Sequence, residues 1–381
     1  MRIAVEGGAS PLKVGDKVVL MDIGGTIHGA PVNLSSDGSG MQEGFLRYVF
    51  DIGFDNKKLM GTVTDAHVDV RAKVLSEGRV SGLAFLNQGS DLITGSGIKA
   101  AMASARGIDS GITVFEAGQG GRSRYDTGSH VDVDGVSLMT GLVWRKPFDS
   151  GSVFHAGVFL EAGWGSYDSY NSFANAESVH GNGDTSYLGA GGLFRYDSPG
   201  GVYADASVRA GQTRTSFSST DLRNPSGQKA EYDTDSAYMG AHIGLGYVAH
   251  LSDRTTLDLS ARYIWTRQGA DSVKVLGDTV SFDPVNSRRL RGGARISFAA
   301  SERVSPYFGA YYEHELDGKA RAFDNGFAID VPDLKGGTGV GELGMAVTPA
   351  AGSGLSLDLG VQGYAGIRQG ITGRLQLKWE F

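Results

Sequence analysis

The 381-residue chain contains no cysteine. That excludes disulfides, cysteine-based metal sites and thiol catalysis, and it suits a chain that crosses an oxidising periplasm unfolded. Proline is scarce, at 9 residues against 59 glycines, yet the glycines follow no collagen-like period and form no low-complexity block. No run of about 18 apolar residues occurs, so no transmembrane helix is available. Charged residues make up 20%, and a net charge of −7 leaves no footprint for a nucleic acid. No arginine-rich stripe or nucleic-acid-binding signature is present either. The opening residues, MRIAVEGGASPLKVGDK, lack the apolar core of a signal peptide. Mean hydropathy is −0.15, but the strands of a membrane barrel expose only alternate residues to lipid, so an average misses them.

What is present is alternation. Ile371, Gly373, Leu375, Leu377, Trp379 and Phe381 alternate with Thr372, Arg374, Gln376, Lys378 and Glu380. A period of two is an extended strand with one apolar and one polar face. The aromatics fall on the apolar face near the chain end, where a transmembrane barrel strand carries its interfacial girdle. The pattern returns at Leu355 to Val361, Leu290 to Phe298, Leu257 to Trp265 and Val202 to Ala210. Weaker versions begin near Ile112, Gly135, Val153, Ser186, Ala237, Val304 and Gly339. Together they give about twelve strands, an even number as bacterial single-chain barrels require. Strands this apolar would aggregate unless their edges were paired, and a closed barrel in a membrane removes both edge and exposed oil. Tight joins at 197–200, 252–254 and 300–302 read as periplasmic turns, and long polar joins at 168–184, 216–235 and 317–337 as outer loops.

The polar faces predict a wet, charged lumen lined by Arg209, Arg262, Arg289, Arg291, Arg295, Glu342 and Arg374. Such a set serves either as a structural network or as an electrostatic grip on a helix or a passing polar chain, and the two roles are compatible. Gly157, Gly189, Gly191, Gly240 and Gly244 share that face. They make room for facing tyrosines or for something inside the barrel, or else reflect simple close packing.

Residues before Ile112 behave differently. Segment 68–87, VDVRAKVLSEGRVSGLAFLN, has no period of two, no proline, and good helix formers interrupted by Gly78 and Gly82. Arg71, Lys73, Glu77 and Arg79 would each be costly in hydrocarbon. The helix is therefore expected inside the barrel, with Gly78 and Gly82 passing close to inward side chains such as Tyr203 and Tyr238. A second short helix is expected at 98–106. Short β patterns at 3–5, 17–20, 45–52 and 59–64 suggest the end of a stacked β unit.

Several segments together resemble the translocator domain of autotransporters, the type V secretion family. They are RYDTGSHVDVDG (124–135), SRRLRGGARISF (287–298), SPYFGAYYEHELDGKARA (305–322), GGTGVGELGM (336–345) and LGVQGYAGIRQGITGRLQLKWEF (359–381). LSEGRVSGLAFLNQGSDLI (75–93) resembles the segment ahead of the barrel in that family. The resemblance implies an all-β fold: a twelve-stranded transmembrane antiparallel β-barrel with an N-terminal pore-spanning α-helix and a short β-rich passenger stub. It implies a passenger stub at 1–66, a linker with the pore helix at 67–109, and the outer-membrane barrel at 110–381. The implied function is delivery of the chain's own passenger to the cell surface of a Gram-negative bacterium. The implied partners are outer-membrane lipid, the barrel assembly machinery and the passenger polypeptide. Pore-helix residues would include Arg71, Gly78, Arg79 and Gly82, and Trp379 with Phe381 would form the assembly signal. A membrane barrel must be exported, so the chain is expected to be the C-terminal part of a longer precursor. The alternatives are a plugged porin or adhesin-like barrel and, behind these, a barrel protease.

Catalytic and cofactor readings fare poorly. Gly339, Gly341 and Gly344 fit a dinucleotide-binding spacing, but that fingerprint must open a helix and here it lies within a strand. His155, His180, His242 and His314 show no spacing to Asp168, Asp184 or Asp235 that picks out a protease dyad. Asn87 sits where some autotransporters cut themselves but is preceded by Leu86, and a polar helix-end residue is the plainer reading. No cluster has metal-ligand spacing, so no enzyme activity, cofactor or metal is expected.

Overall fold

The computed structural model describes residues 11–22, 24–25, 41–43, 45–55, 57–105, 110–224, 227–347 and 355–379. The chain begins with a small antiparallel sheet of β1 (Lys17–Asp22), β2 (Met41–Glu43), β3 (Leu46–Asp55) and β4 (Lys58–Val68), in the order β1-β4-β3-β2. The β patterns expected at 17–20, 45–52 and 59–64 fall within it, and 3–5 lies outside the described residues. After β4, Asp69 accepts a hydrogen bond from the Arg71 backbone N–H at 3.0 Å and starts the single 3-10 turn Val70–Ala72. The helix α1 (Lys73–Leu92) follows, then a π-helical turn Ile93–Gly97, then α2 (Ile98–Ser104).

The helix expected at 68–87 is thus displaced. Pairing of β4 with β3 carries the strand through Val68, and the Asp69 cap moves the helical start to Lys73. At the other end the helix continues beyond Asn87, and the short helix expected at 98–106 is its extension through the π turn. Residue 106 is outside the described residues. Among the described residues no helix is long and apolar enough to cross a membrane; the crossing is made by strands.

Twelve strands do so: β5 (Gly111–Asp126), β6 (His130–Pro147), β7 (Val153–Asn171), β8 (Val179–Asp197), β9 (Val202–Arg223), β10 (Lys229–Ser252), β11 (Thr255–Gln268), β14 (Val285–Phe298), β15 (Val304–Glu315), β18 (Gly336–Val347), β19 (Leu355–Gly366) and β20 (Arg368–Trp379). Each pairs antiparallel with its neighbour, and β20 pairs with β5 to close the barrel. Within the described residues the alternating segments of the sequence lie in these strands, and the phase is as expected. Leu259, Leu290, Leu359 and Ile371 are exposed on the outer wall, while Tyr203, Arg209, Arg289 and Glu342 are buried inside.

Two expected loops are corrected. Segments 168–184 and 216–235 are mostly strand, because β7 and β8 extend to Asn171 and from Val179, and β9 and β10 to Arg223 and from Lys229. β9 and β10 have 22 and 24 residues, about twice the ~9–11 that cross a bilayer. The wall therefore stands clear of the lipid, where the outward face is polar and the apolar side chains, Phe217 and Tyr232 among them, point inward to the helix start and the cap; an outward Arg214–Asp235 pair at 2.9 Å marks this aqueous part. The third expected loop contains β16 (Ala322–Asp324) and β17 (Phe327–Ala328), and join 269–284 contains β12 (Asp271–Val275) and β13 (Asp278–Phe282). These four form a separate sheet in the order β12-β13-β16-β17. Its Val275, Val280, Phe282 and Ala322 pack with Phe45 of the N-terminal segment and with Ala72, Val74 and Leu75 at the helix start, so it caps the mouth. The opposite end has short joins at 148–152, 198–201, 253–254 and 299–303.

Candidate functional site: a helix-filled pore

Every residue of α1 after Lys73 is buried, although the segment carries Glu77, Arg79, Asn87, Gln88 and Asp91. Burial of that many polar groups is sustainable only if the surrounding wall supplies partners. It does, in tiers down the pore.

Nearest the capped mouth, Glu77 accepts from Thr127 Oγ1 at 2.9 Å and from Asn171 Nδ2, with Lys73 3.7 Å away. Arg79 donates to Ser236 Oγ at 3.2 Å and to the Gly269 carbonyl, and lies 5.5 Å from the Phe282 ring centre. Midway, Arg209 donates to Glu161 at 2.9 Å, and to the Leu86 carbonyl and Ser90 Oγ at 2.7 Å each. Below it, Asp91 is gripped from two strands by Arg289 and Arg368, both at 2.7 Å. Arg289 also donates to the Asn87 carbonyl at 3.2 Å and reaches Glu313 at 3.3 Å. Toward the short-turn end, Glu342 bonds Arg374, accepts from Tyr311 at 2.7 Å, and lies 3.8 Å from Arg295, which is 3.7 Å from Asp358.

Glycine lets the helix fit. A Cβ on Gly78 would sit 2.8 Å from the Tyr167 hydroxyl and closer still to that of Tyr232; one on Gly82 would sit 2.9 Å from Thr215 Oγ1. Gly78 therefore passes Tyr232 and Tyr167, and Gly82 passes Thr215 and Gln268, in place of the expected Tyr203 and Tyr238. Tyr203 instead donates to Asp258 at 2.7 Å, and Tyr238 to Glu161 at 2.8 Å. The lumen-facing glycines of the wall make room chiefly for neighbouring strands' side chains: Gly189 for Tyr238, Gly191 for Phe159, Gly244 for Asp205 and Arg262, Gly240 for Arg209, and Gly157 for Leu193. Gly135 and Gly165, by contrast, clear the way for Phe85 of the helix.

The sequence-derived lumen set divides accordingly. Arg209 and Arg289 hold α1 directly. Arg295, Glu342 and Arg374 form one network below it. Arg291 reaches Glu313 at 3.9 Å, and Arg262 reaches Asp205 at 3.7 Å. Arg71 is corrected: it lies in the turn before α1, bound to Asp69 at 3.1 Å, and belongs to the mouth. Asp91, Glu161 and Arg368 were missed, although each is a charge in the inward phase of its strand or one helical turn beyond Asn87. The Trp379 side chain and Phe381 lie outside the described residues. His180 pairs with Asp221 at 2.9 Å and His155 with Asp197 at 3.6 Å. His242 bridges Ser207 at 2.5 Å and Asp205 at 2.9 Å, and the same carboxylate is shared with Arg195 and Arg262 at 3.7 Å each. His314 meets the Tyr312 hydroxyl at 3.4 Å, and none of these histidine contacts among the described residues is with Asp168, Asp184 or Asp235. Gly339, Gly341 and Gly344 lie within β18, without the helix a dinucleotide needs.

A model of the autotransporter β-domain matches residues 109–362. The chain belongs to the autotransporter β-domain family. Solved structures agree in fold. The translocator domain of autotransporter NalP from Neisseria meningitidis is 18% identical with a TM-score of 0.58, covering 76% of this chain and 95% of that one. The β-domain of the Bordetella autotransporter BrkA is 17% identical with a TM-score of 0.53, covering 71% and 99%. The transport unit of AIDA-I from Escherichia coli is 16% identical with a TM-score of 0.51, covering 71% and 90%. No curated protein sequence matches. As an autotransporter β-domain the molecule is an outer-membrane translocator of type V secretion.

Proposed function

We propose that this autotransporter β-domain delivers its own N-terminal passenger to the extracellular side and then keeps its pore shut with α1. The supporting observation is topological. The barrel begins at β5, whose Gly111 lies at the short-turn end, while the sheet β1–β4 continues from the opposite, capped mouth. The chain between them runs through the lumen as α1, the π turn and α2. The described residues N-terminal to Lys73 thus sit across the membrane from the start of the barrel, on a strand-walled path. On this reading residues 1–66 are the end of the passenger, 67–109 the linker with the pore helix, and 110–381 the barrel. The lumen charges then grip the helix, the outer wall meets outer-membrane lipid, and Trp379 with Phe381 addresses the assembly machinery. The reading assigns no catalysis to the domain.

The test is an epitope inserted between Pro11 and Lys13 in whole cells. Surface labelling and removal by external protease are expected, and a protected epitope in a correctly folded barrel would overturn the reading. Single-channel recording separates a plugged porin. The intact domain is expected to be nearly closed and the variant lacking 73–92 open; large steady conductance before deletion would favour the porin.

A further inference from the structure

The outer wall carries an apolar band that ends sharply toward the capped mouth. On β11 the outward residues run Leu257, Leu259, Ala261, Tyr263 and Trp265, and opposite the first four on β14 stand Ile296, Ala294, Gly292 and Leu290. Leu259, Tyr263, Leu290 and Ile296 are exposed, as side chains that meet lipid tails must be. Trp265, with the exposed Tyr312 on β15, marks the aromatic level at the end of the band. One step further toward the cap the two strands present Arg267 and Arg288. Arg288 is the cross-strand partner of Trp265, and Arg267 that of Asn286. The two arginines are therefore diagonal neighbours on one face, within mutual reach of long side chains.

Other outward arginines just beyond the band are neutralised within the wall: Arg124 by Asp132 at 2.7 Å, Arg122 by Asp134 at 3.6 Å and Arg214 by Asp235 at 2.9 Å. Arg267 and Arg288 are not, although acidic residues outnumber basic ones by 42 to 35. Among the described residues neither has a carboxylate within ion-pairing distance, and their guanidinium contacts amount to one long bond from Arg267 Nη1 to Asn286 Oδ1 at 3.5 Å. The backbone of Arg288 is pinned meanwhile, its N–H donating to Glu315 at 2.8 Å. Two like charges fixed side by side on a sheet repel, and an anion between them offsets that repulsion.

We propose that Arg267 and Arg288 bind the phosphate of an outer-leaflet lipid whose acyl chains lie on the band below. The proposal rests on the reading that the outer wall meets outer-membrane lipid with the capped mouth outside. A guanidinium fork matches phosphate oxygens bidentately, and two forks set diagonally reach one phosphate from two sides. Position completes the match. The level of the interfacial aromatics is the headgroup level, so the phosphate of a lipid lies against these arginines while Tyr263, Leu290 and Ile296 meet its tails. A soluble phosphate gains nothing from the band, which makes the lipid the occupant.

Diphosphoryl lipid A, titrated into the detergent-solubilised domain and counted by native mass spectrometry, tests this. Arg267→Gln or Arg288→Gln is expected to weaken binding about fivefold, and the double variant about twenty- to thirtyfold. Arg214→Gln, at a paired site, is expected to leave binding unchanged. Dephosphorylated lipid A is expected to bind as weakly to the wild type as the phosphorylated lipid does to the double variant, and excess inorganic phosphate is expected not to displace the lipid. Equal binding by wild type and double variant, equal binding of the dephosphorylated lipid, or displacement by inorganic phosphate would each overturn the site. Heat-modifiable gel mobility after refolding into phosphatidylcholine vesicles confirms that each variant is folded. A wild type that does not insert into those vesicles would overturn the membrane reading itself, which keeps the two failures apart.

Discussion

Asp91 is the residue on which the plug depends most. It answers two guanidinium groups from two strands, and removing it leaves Arg289 and Arg368 buried with one acceptor fewer each. Breaking a buried pair costs on the order of 3–5 kcal/mol, so Asp91→Ala is expected to lower unfolding stability by about that amount in lipid-vesicle refolding titrations, and Asp91→Asn by less. Gly78→Leu acts by volume. It drives a side chain into the Tyr232 and Tyr167 hydroxyls, and overpacking of this kind costs about 1–3 kcal/mol, seen as raised single-channel conductance of a folded barrel. Inward position alone does not make a residue tolerant. Gln362, by alternation a lumen residue that should accept arginine, faces Arg291 and Arg374 at 3.1 and 3.2 Å with its amide oxygen turned toward them. A third cation there is expected to destabilise. Which residues point inward is legible in a period of two; which inward residues meet depends on the stagger of twelve strands and the rotation of one helix, and neither leaves a mark on local sequence.

Among the elements, strands were easiest to read where lipid presses on them and hardest where the wall leaves it. β9 and β10 lose their outward apolar residues above the bilayer, so their upper halves looked like loops. The small capping sheet was invisible for a similar reason: its strands of two to five residues are too short to carry a period. That cap contains a chemical peculiarity. Asp278 accepts the Phe45 backbone N–H at 2.9 Å and Asn325 Nδ2 at 3.1 Å, while neighbouring Asp324 is buried with neither carboxyl oxygen hydrogen-bonded. Burial, with the Asp278 charge second, pushes Asp324 up to about 7 from 3.8, and burial raises Asp278 as well. A raised pKa means that the docked cap favours the neutral acid. The Asp324 contribution to docking is then complete below its ordinary value of 3.8 and lost as pH rises through about 7. Hydrogen exchange at the Val280 and Phe45 amides, corrected for intrinsic rate, is expected to reveal a looser cap at pH 8.5 than at pH 5.5. Asp324→Asn is expected to flatten that difference, and a wild-type cap insensitive to pH would contradict the assignment.

For the molecule as a whole, the bilayer is the frame that makes the other scales intelligible. Arginine at Leu259 is expected to destabilise by up to roughly 2–4 kcal/mol in lipid-vesicle refolding because it is exposed on the apolar outer wall, and a negligible cost would mean that the band is misplaced. The closed barrel was legible because twelve weak signals agree, whereas the threading of α1 rested on charge in a segment that water could equally have accommodated.

The route of the chain also has a mechanical meaning. A passenger fastened to a surface pulls outward along the axis of α1, and that tension reaches the barrel first through Glu77 and Arg79, then through Arg209 and the two guanidinium groups on Asp91, before it arrives at Gly111. These contacts are loaded lengthwise, in shear, so several must yield together instead of peeling one after another. Beyond them the load passes into β5, which is stitched on both sides into a closed wall and has no free edge from which to tear. The same thread that closes the channel thereby makes the molecule an anchor, with its grip set inside the membrane, out of reach of external proteases.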